Sequence, residues 1–303
     1  MTPRRARPSA SRSSTTSKSW RRCFGHSRRI SSFRSASLYA TSAARIFQRA
    51  RSRPSLRREE RLVFVVGSPR SGTTFLGNSL GAQPGLVDLG EVKPLKSAIP
   101  ELTRLPEAAA AARLRRVLEV VRTLGLASHL RGVEQTPETS FLVGAVLRAY
   151  PAARAVHMVR DGRDVVCSLL ERGWLGAERE GADDAGLAYG AHARFWVETD
   201  RTEEFRSASE AKRAAWAWRR YVTAARAVPE RTLELRYEEL VTSPRKVAGQ
   251  LATFLELAAE PLTNSLSSAF DRSVGRWQRD LTPEQLSDVE EEAGALLQDL
   301  GYL

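Results

Sequence analysis

Residues Gly67-Ser68-Pro69-Arg70-Ser71-Gly72-Thr73-Thr74 have the types and spacing of a turn that grips an anion. They follow a short apolar run, Arg61–Gly67, and lead into Thr73–Leu80, where apolar residues recur at helical spacing. A glycine-rich turn between a strand and a helix aims backbone N–H groups and the positive end of the helix at one point. The spacing matches the phosphate-loop pattern G-x-x-x-x-G-K-[ST], except that Thr73 stands where the lysine belongs. In nucleoside-triphosphate enzymes that lysine reaches the terminal phosphates, and the hydroxyl after it holds Mg²⁺. Its loss argues against a triphosphate substrate. Arg70, three residues earlier, offers a cation from a different direction.

The run V-x-G-S-P-R-S-G-T-T resembles the 5′-phosphosulfate loop of sulfotransferases that use 3′-phosphoadenosine-5′-phosphosulfate (PAPS). The resemblance implies that Arg70 contacts the phosphosulfate and steadies charge on the departing phosphate. It assigns the 5′-phosphate to Ser71, Gly72, Thr73 and Thr74. A second segment, Arg160-Asp161-Gly162-Arg163-Asp164 through Ser168, follows an apolar run and is similar to the family's 3′-phosphate motif, V-R-[DN]-P-R-D-x-x-x-S. Arg160 and Ser168 take the phosphate-holding places. An arginine at a strand's end can fork onto phosphate oxygens, and a serine in the next helix can add a bond. Gly162 replaces the family's Pro and is expected to loosen the turn. Arg163 and Asp164 read as a helix-start salt bridge or cap.

Leu233–Pro244 resembles the segment whose Tyr lies along the nucleotide, here Tyr237. Phe270–Trp277 resembles the stretch that closes over the cofactor with basic side chains, Arg276 first and Arg272 second. Relatives place a catalytic Glu a similar distance after the phosphate loop, which assigns the general base to Glu91, with Asp88 in reserve; such a base contributes about 10²–10⁴-fold. One position departs from the pattern. The family often has Lys in a strand-end K-T-P motif, and Gln135 stands there within Val133-Glu134-Gln135-Thr136-Pro137. An uncharged amide weakens stabilisation of the transferring sulfonate, and Glu134 becomes an acceptor contact to test. The resemblance spans most of residues 61–303 and is thin between Gly173 and Ser209.

These residues need a scaffold of alternating strands and helices. The pattern predicts strands at Arg61–Gly67, Ala153–Val159 and Thr232–Arg236. It predicts helices at Thr73–Leu80, Pro106–Leu126, Thr139–Ala149, Asp164–Arg172, Glu210–Ala227 and Ser243–Leu255. Thr282-Pro283-Glu284-Gln285 is a capping-box start for a helix through Leu300. Gly173–Ser209, with Tyr189, Phe195 and Trp196, reads as loop plus helix near the acceptor. The expectation is a phosphate-loop α/β fold of three layers, a central parallel sheet flanked by helices, occupying residues 59–303.

Charge divides the chain at the same boundary. Of 303 residues with net charge +12, residues 1–58 hold fifteen Arg, one Lys and no acid, so the remainder is net negative. The basic signal therefore does not make the folded part a nucleic-acid binder. An Arg- and Ser-rich segment without an apolar period is expected to be disordered; it reads as a solvated extension or mis-called start, a transit peptide, or an arm for anionic surfaces. Two cysteines, Cys23 and Cys167, make no disulfide framework, and His26, His129, His157 and His192 lack ligand spacing, so no metal is expected. No apolar run spans a membrane, and the cytoplasm is the expected compartment. The partner is a hydroxyl-bearing acceptor: carbohydrate, protein tyrosine, lipid, or a small alcohol or phenol. Aromatic residues between 174 and 221 could stack on such a group, though core packing is their commoner use. The competing readings are a phosphate-loop kinase or NTPase, and an anion-binding relic without catalysis.

Overall fold

The computed structural model describes residues 62–125, 130–175, 199–269 and 271–303. The basic segment, its boundary near residue 58, and Tyr189, Phe195 and Trp196 lie outside them.

Strand β1 (Leu62–Val66) is buried at every position, as a strand covered on both faces must be. It sits at the middle of a five-stranded sheet with β2 (Leu86–Gly90), β3 (Arg131–Glu134), β4 (Arg154–Val159) and β5 (Thr232–Arg236), in the order β2-β3-β1-β4-β5. All four pairings are parallel, with Phe64 opposite Glu134 on one side and Ala155 on the other. Alternation along the strands sends side chains to two cores. Val63, Val65, Val156, Met158 and Leu235 pack under α1 (Thr73–Gly81), α9 (Pro244–Leu255) and α10 (Ala259–Leu266). Across the sheet, Val159 joins Val165, Trp218, Tyr221 and Val289 from α5 (Gly162–Glu171), α7 (Glu210–Ala225) and α12 (Pro283–Asp299). Three layers result, the architecture expected from the sequence. Fully burying one side chain the size of Phe64 contributes about 1.5–3 kcal/mol.

The remaining helices are α2 (Lys93–Leu102), α3 (Glu107–Gly125), α4 (Val143–Ala149), α6 (Thr202–Ser207), α8 (Tyr237–Thr242) and α11 (Trp277–Asp280). The capping box of α12 forms: Thr282 accepts from the Gln285 backbone, and Gln285 reaches back. Two expectations are corrected. The helix foreseen at Thr139–Ala149 is a 3₁₀ turn at Pro137–Leu142 followed by α4. The Glu134 carboxylate causes this, because it accepts from the Thr136 N–H at 2.7 Å and the Thr139 hydroxyl at 2.9 Å and holds the turn tight. Second, Gly162 does not loosen its turn. A Cβ there would lie 2.7 Å from the Trp218 ring, so glycine allows close packing that a bulkier residue would block.

Candidate active site

The phosphate loop leaves the C-terminal end of β1 at a point flanked by the ends of β3 and β4, where open parallel sheets bind ligands. Gly67 opens it by donating its N–H to Ser140 Oγ at 2.9 Å, which pins the loop to the 3₁₀ turn. Arg70 holds φ at 73°, a left-handed conformation that costs a side-chain-bearing residue about 1–3 kcal/mol. Gly72 follows at φ 95° and caps α1 without any side-chain bond, leaving the helix's first N–H groups to a ligand. Thr73 is buried and Thr74 exposed at this helix start.

Three elements bring the predicted phosphate residues onto this loop. From α5, Ser168 Oγ accepts from Arg70 Nε at 3.0 Å. From the end of β4, Arg160 donates to the Arg70 carbonyl at 3.3 Å, and its guanidinium lies 4.8 Å from the Tyr237 ring centroid. Tyr237, first residue of α8, covers Gly72 so closely that a Cβ there would sit 2.7 Å from the ring. Arg70, Gly72, Arg160, Ser168 and Tyr237 therefore form one cluster. Burial first, then the Arg172 and Arg160 guanidiniums, hold Arg70 below its ordinary pKa. Two buried polar atoms in the cluster have no hydrogen-bond partner, Ser71 Oγ and Arg160 Nε. Cations crowded together beside open donors are the inverse image of a phosphate or sulfate group, so these residues fit the nucleotide the sequence implies.

Residues that sequence reasoning missed complete the cluster. Trp218 donates its indole N–H to the Arg160 carbonyl at 3.1 Å. Asp161 caps α5 by accepting from the Arg163 N–H at 2.9 Å, and its carboxylate also takes the Arg163 side chain at 2.7 Å. Arg163 thus makes the helix-start salt bridge expected of it, and its guanidinium also lies 3.9 Å from the Trp277 ring centroid. Asp164 is not the cap. It accepts from the backbone N–H groups of Gly275 at 2.8 Å and Trp277 at 3.1 Å, and so clasps the segment after residue 270 against α5. Arg160 reaches the same segment through the Ser273 carbonyl. Arg276, half-buried, is engaged by Glu171 at 3.0 Å and Asp280 at 2.6 Å, and Arg272 is exposed.

Glu91 stands just past β2, two strand spacings or about 10 Å from the β1 line. Its side chain is 42% exposed and pairs with the buried Lys96 of α2 at 2.5 Å. Asp88 accepts from the Gln135 amide at 2.9 Å and the Gly90 N–H at 2.8 Å, and burial raises its pKa. Gln135 thus faces Asp88 and packs on Gly77 of α1. Glu134 is fully buried and is no surface contact. Burial pushes its carboxyl up to about 7, against the lowering effect of the Thr136 and Thr139 bonds. Thr136 Oγ1 in turn accepts from the Val92 N–H at 3.0 Å, so one turn ties the Glu91 segment and the phosphate loop to a single carboxyl. A carboxylic acid ending an apolar strand, with Thr two and five residues on, is the signal that could have revealed this. His157 is a buried core residue whose Nδ1 lies 3.1 Å from Glu234 while its Nε2 has no hydrogen-bond partner, and burial pushes the Cys167 thiol up to about 12. Among the described residues no helix is long and apolar enough to cross a membrane.

Known proteins share this fold. The sulfotransferase domain from the curacin biosynthetic pathway superposes with a TM-score of 0.52 at 16% identity, over 81% of this chain and 98% of that one. The sulfotransferase domain of the Synechococcus PCC 7002 olefin synthase gives a TM-score of 0.49 at 18% identity, over 79% and 97%. An uncharacterized protein of Aquifex aeolicus (strain VF5) is 26% identical over 223 residues, 66% of this chain, and the chain spans 26% of that relative's length. Residues 101–261, which include Gln135, Arg160, Ser168 and Tyr237, match the model described as "Sulfotransferase family". With more than half its length matched and the fold in agreement, the chain belongs to the sulfotransferase family.

Proposed function

We propose that this protein transfers a sulfonate group from PAPS to a hydroxyl on an acceptor, with release of 3′,5′-adenosine bisphosphate. The observation that supports it best is the Arg70–Ser168–Arg160 cluster, with Ser71 Oγ and Arg160 Nε buried and unpaired. In this reading the N-terminus of α1, Ser71, Thr73 and Thr74 hold the 5′-phosphate. Arg160 and Ser168 hold the 3′-phosphate, and Tyr237 flanks the nucleotide. Arg70 neutralises charge on the departing oxygen, and the preorganised donors need no rearrangement as that charge develops. Glu91 accepts the acceptor's proton as the new S–O bond forms. Lys96 orients that carboxylate. Arg276 joins the site only by exchanging Glu171 or Asp280 for phosphate. The acceptor is a carbohydrate, a protein tyrosine, a lipid or a small alcohol or phenol, and the cytoplasm, where the donor is made, is the compartment.

The test is calorimetric titration with 3′,5′-adenosine bisphosphate in EDTA, beside ATP with Mg²⁺. Metal-free binding that Arg160→Ala weakens by about tenfold or more supports the reading, as expected for a charge-assisted bond. Preference for Mg-ATP would instead point to phosphoryl transfer, and no binding of either nucleotide to a relic.

A further inference from the structure

Helix α7 shows two faces. Trp218 points to Arg160, whereas Trp216, two residues or about 200° around the helix, borders a separate cavity of about 410 Å³. The cavity lies between α6, α7 and α12 and is lined by Phe205, Arg213, Trp216 and Glu292 among others. Its volume falls within the range of small-molecule sites, about 300–1,000 Å³. Arg213 is 5% exposed, and it donates a long hydrogen bond to the Arg206 carbonyl at 3.4 Å. Among the described residues no carboxylate pairs with it. Its Nε and the indole Nε1 of Trp216 are both buried without a partner. Three residues apart on one helix, these donors share a face.

Several surrounding charges are matched: Lys212 with Glu291 at 2.5 Å, Arg219 with Glu292 at 2.6 Å, and Arg201 with Glu204 at 2.7 Å. Arg213 makes no such pair, although Glu210 acts on it through space, and it lies beside the Phe205 and Trp216 rings, whose centroids are 5.0 Å apart; the Arg220 guanidinium lies 4.6 Å from the Trp216 centroid. Burial lowers the pKa of Arg213 against the weaker pull of Glu210, and a buried guanidinium with no carboxylate in contact is costly, a cost that an anion entering the cavity would relieve. We propose that this cavity binds a small organic monoanion, a carboxylate on a flat apolar body. The carboxylate accepts from Arg213 Nε and Trp216 Nε1, and the apolar body lies against Phe205 and the Trp216 ring. A single unpaired Nε and one indole N–H suit one carboxylate, and the aromatic wall disfavours a hydrated inorganic ion. The site is distinct from the nucleotide cluster and does not depend on the proposed reaction.

Benzoate is the probe, titrated by calorimetry into the whole protein, with acetate and sulfate as comparisons. The expected result is saturable one-to-one binding with Kd on the order of 1 mM or tighter. Acetate and sulfate bind at least several-fold more weakly. Arg213→Gln loses about tenfold or more, Trp216→Phe loses several-fold, and Arg160→Ala leaves benzoate binding unchanged. Arg213→Met, which removes the buried guanidinium, keeps or raises the Tm of the ligand-free protein. No saturable benzoate binding would overturn the proposal. So would sulfate binding as well as benzoate, loss of benzoate binding in Arg160→Ala, or a clearly lower Tm in Arg213→Met.

Discussion

Replacing Glu134 with Gln isolates the contribution of one buried carboxyl to pH-dependent stability. In the folded protein burial raises this group from 4.5 to about 7, so between those values the native state keeps a proton that the unfolded chain has released. Stability therefore falls as pH rises through that window, and the cost is complete above about pH 7. At about 1.4 kcal/mol per pH unit the difference amounts to about 3 kcal/mol. Gln keeps the shape and the acceptor for the Thr136 N–H, and its amide donates to Thr139 Oγ once that hydroxyl turns around. Urea unfolding at pH 5, 6, 7 and 8 measures both proteins at constant ionic strength. The two should be similar at pH 5 and diverge steadily, with E134Q more stable at pH 8 by up to about 3 kcal/mol. Parallel curves, or a mutant less stable than the wild type at pH 8, would refute the assignment of a proton to this carboxyl.

Three further outcomes follow from the site. Gly72→Ala places a methyl against Tyr237 and forces a side chain to φ 95°; a loss of about 1–3 kcal/mol in thermal unfolding is expected, with weaker nucleotide binding by calorimetry. Asp164→Asn gives up one of two backbone acceptances and the charge 3.6 Å from Arg160, so the segment after residue 270 should be cut faster by limited proteolysis, and bisphosphate affinity should fall about tenfold. Glu91→Gln should lower kcat by about 10²–10⁴-fold in a labelled-sulfonate assay once an acceptor is in hand, leaving the bisphosphate Kd unchanged.

Much of the scaffold was legible because buried parallel strands are continuous apolar runs: LVFVV and RAVHMV announce β1 and β4 without any partner in view. β2 was not, since LVDLG is short and carries Asp88, whose polarity is absorbed only by Gln135 and Gly90 after folding. α8 was missed for a related reason. Its six residues follow β5 with no intervening turn, and Tyr237 is anchored by Gly72 and Arg160 rather than by helical periodicity. At the site, the two anion motifs were readable locally because each lies within ten consecutive residues. Their supports were not. Trp218 on Arg160, Asp164 on Gly275, and Glu134 beneath the Glu91 segment are long-range or backbone contacts that no spacing encodes.

The clasp between Asp164 and the Gly275–Trp277 backbone has a consequence for synthesis. A ribosome releases the loop around Arg70 roughly 200 residues before Ser273, which is roughly 10–40 s at 5–20 residues per second. During that interval the sheet can pair, but Arg160 lacks the carbonyl that steadies it and Asp164 has no backbone to hold. The arginine that grips the phosphate loop is thus steadied last, by a segment made long after the loop itself.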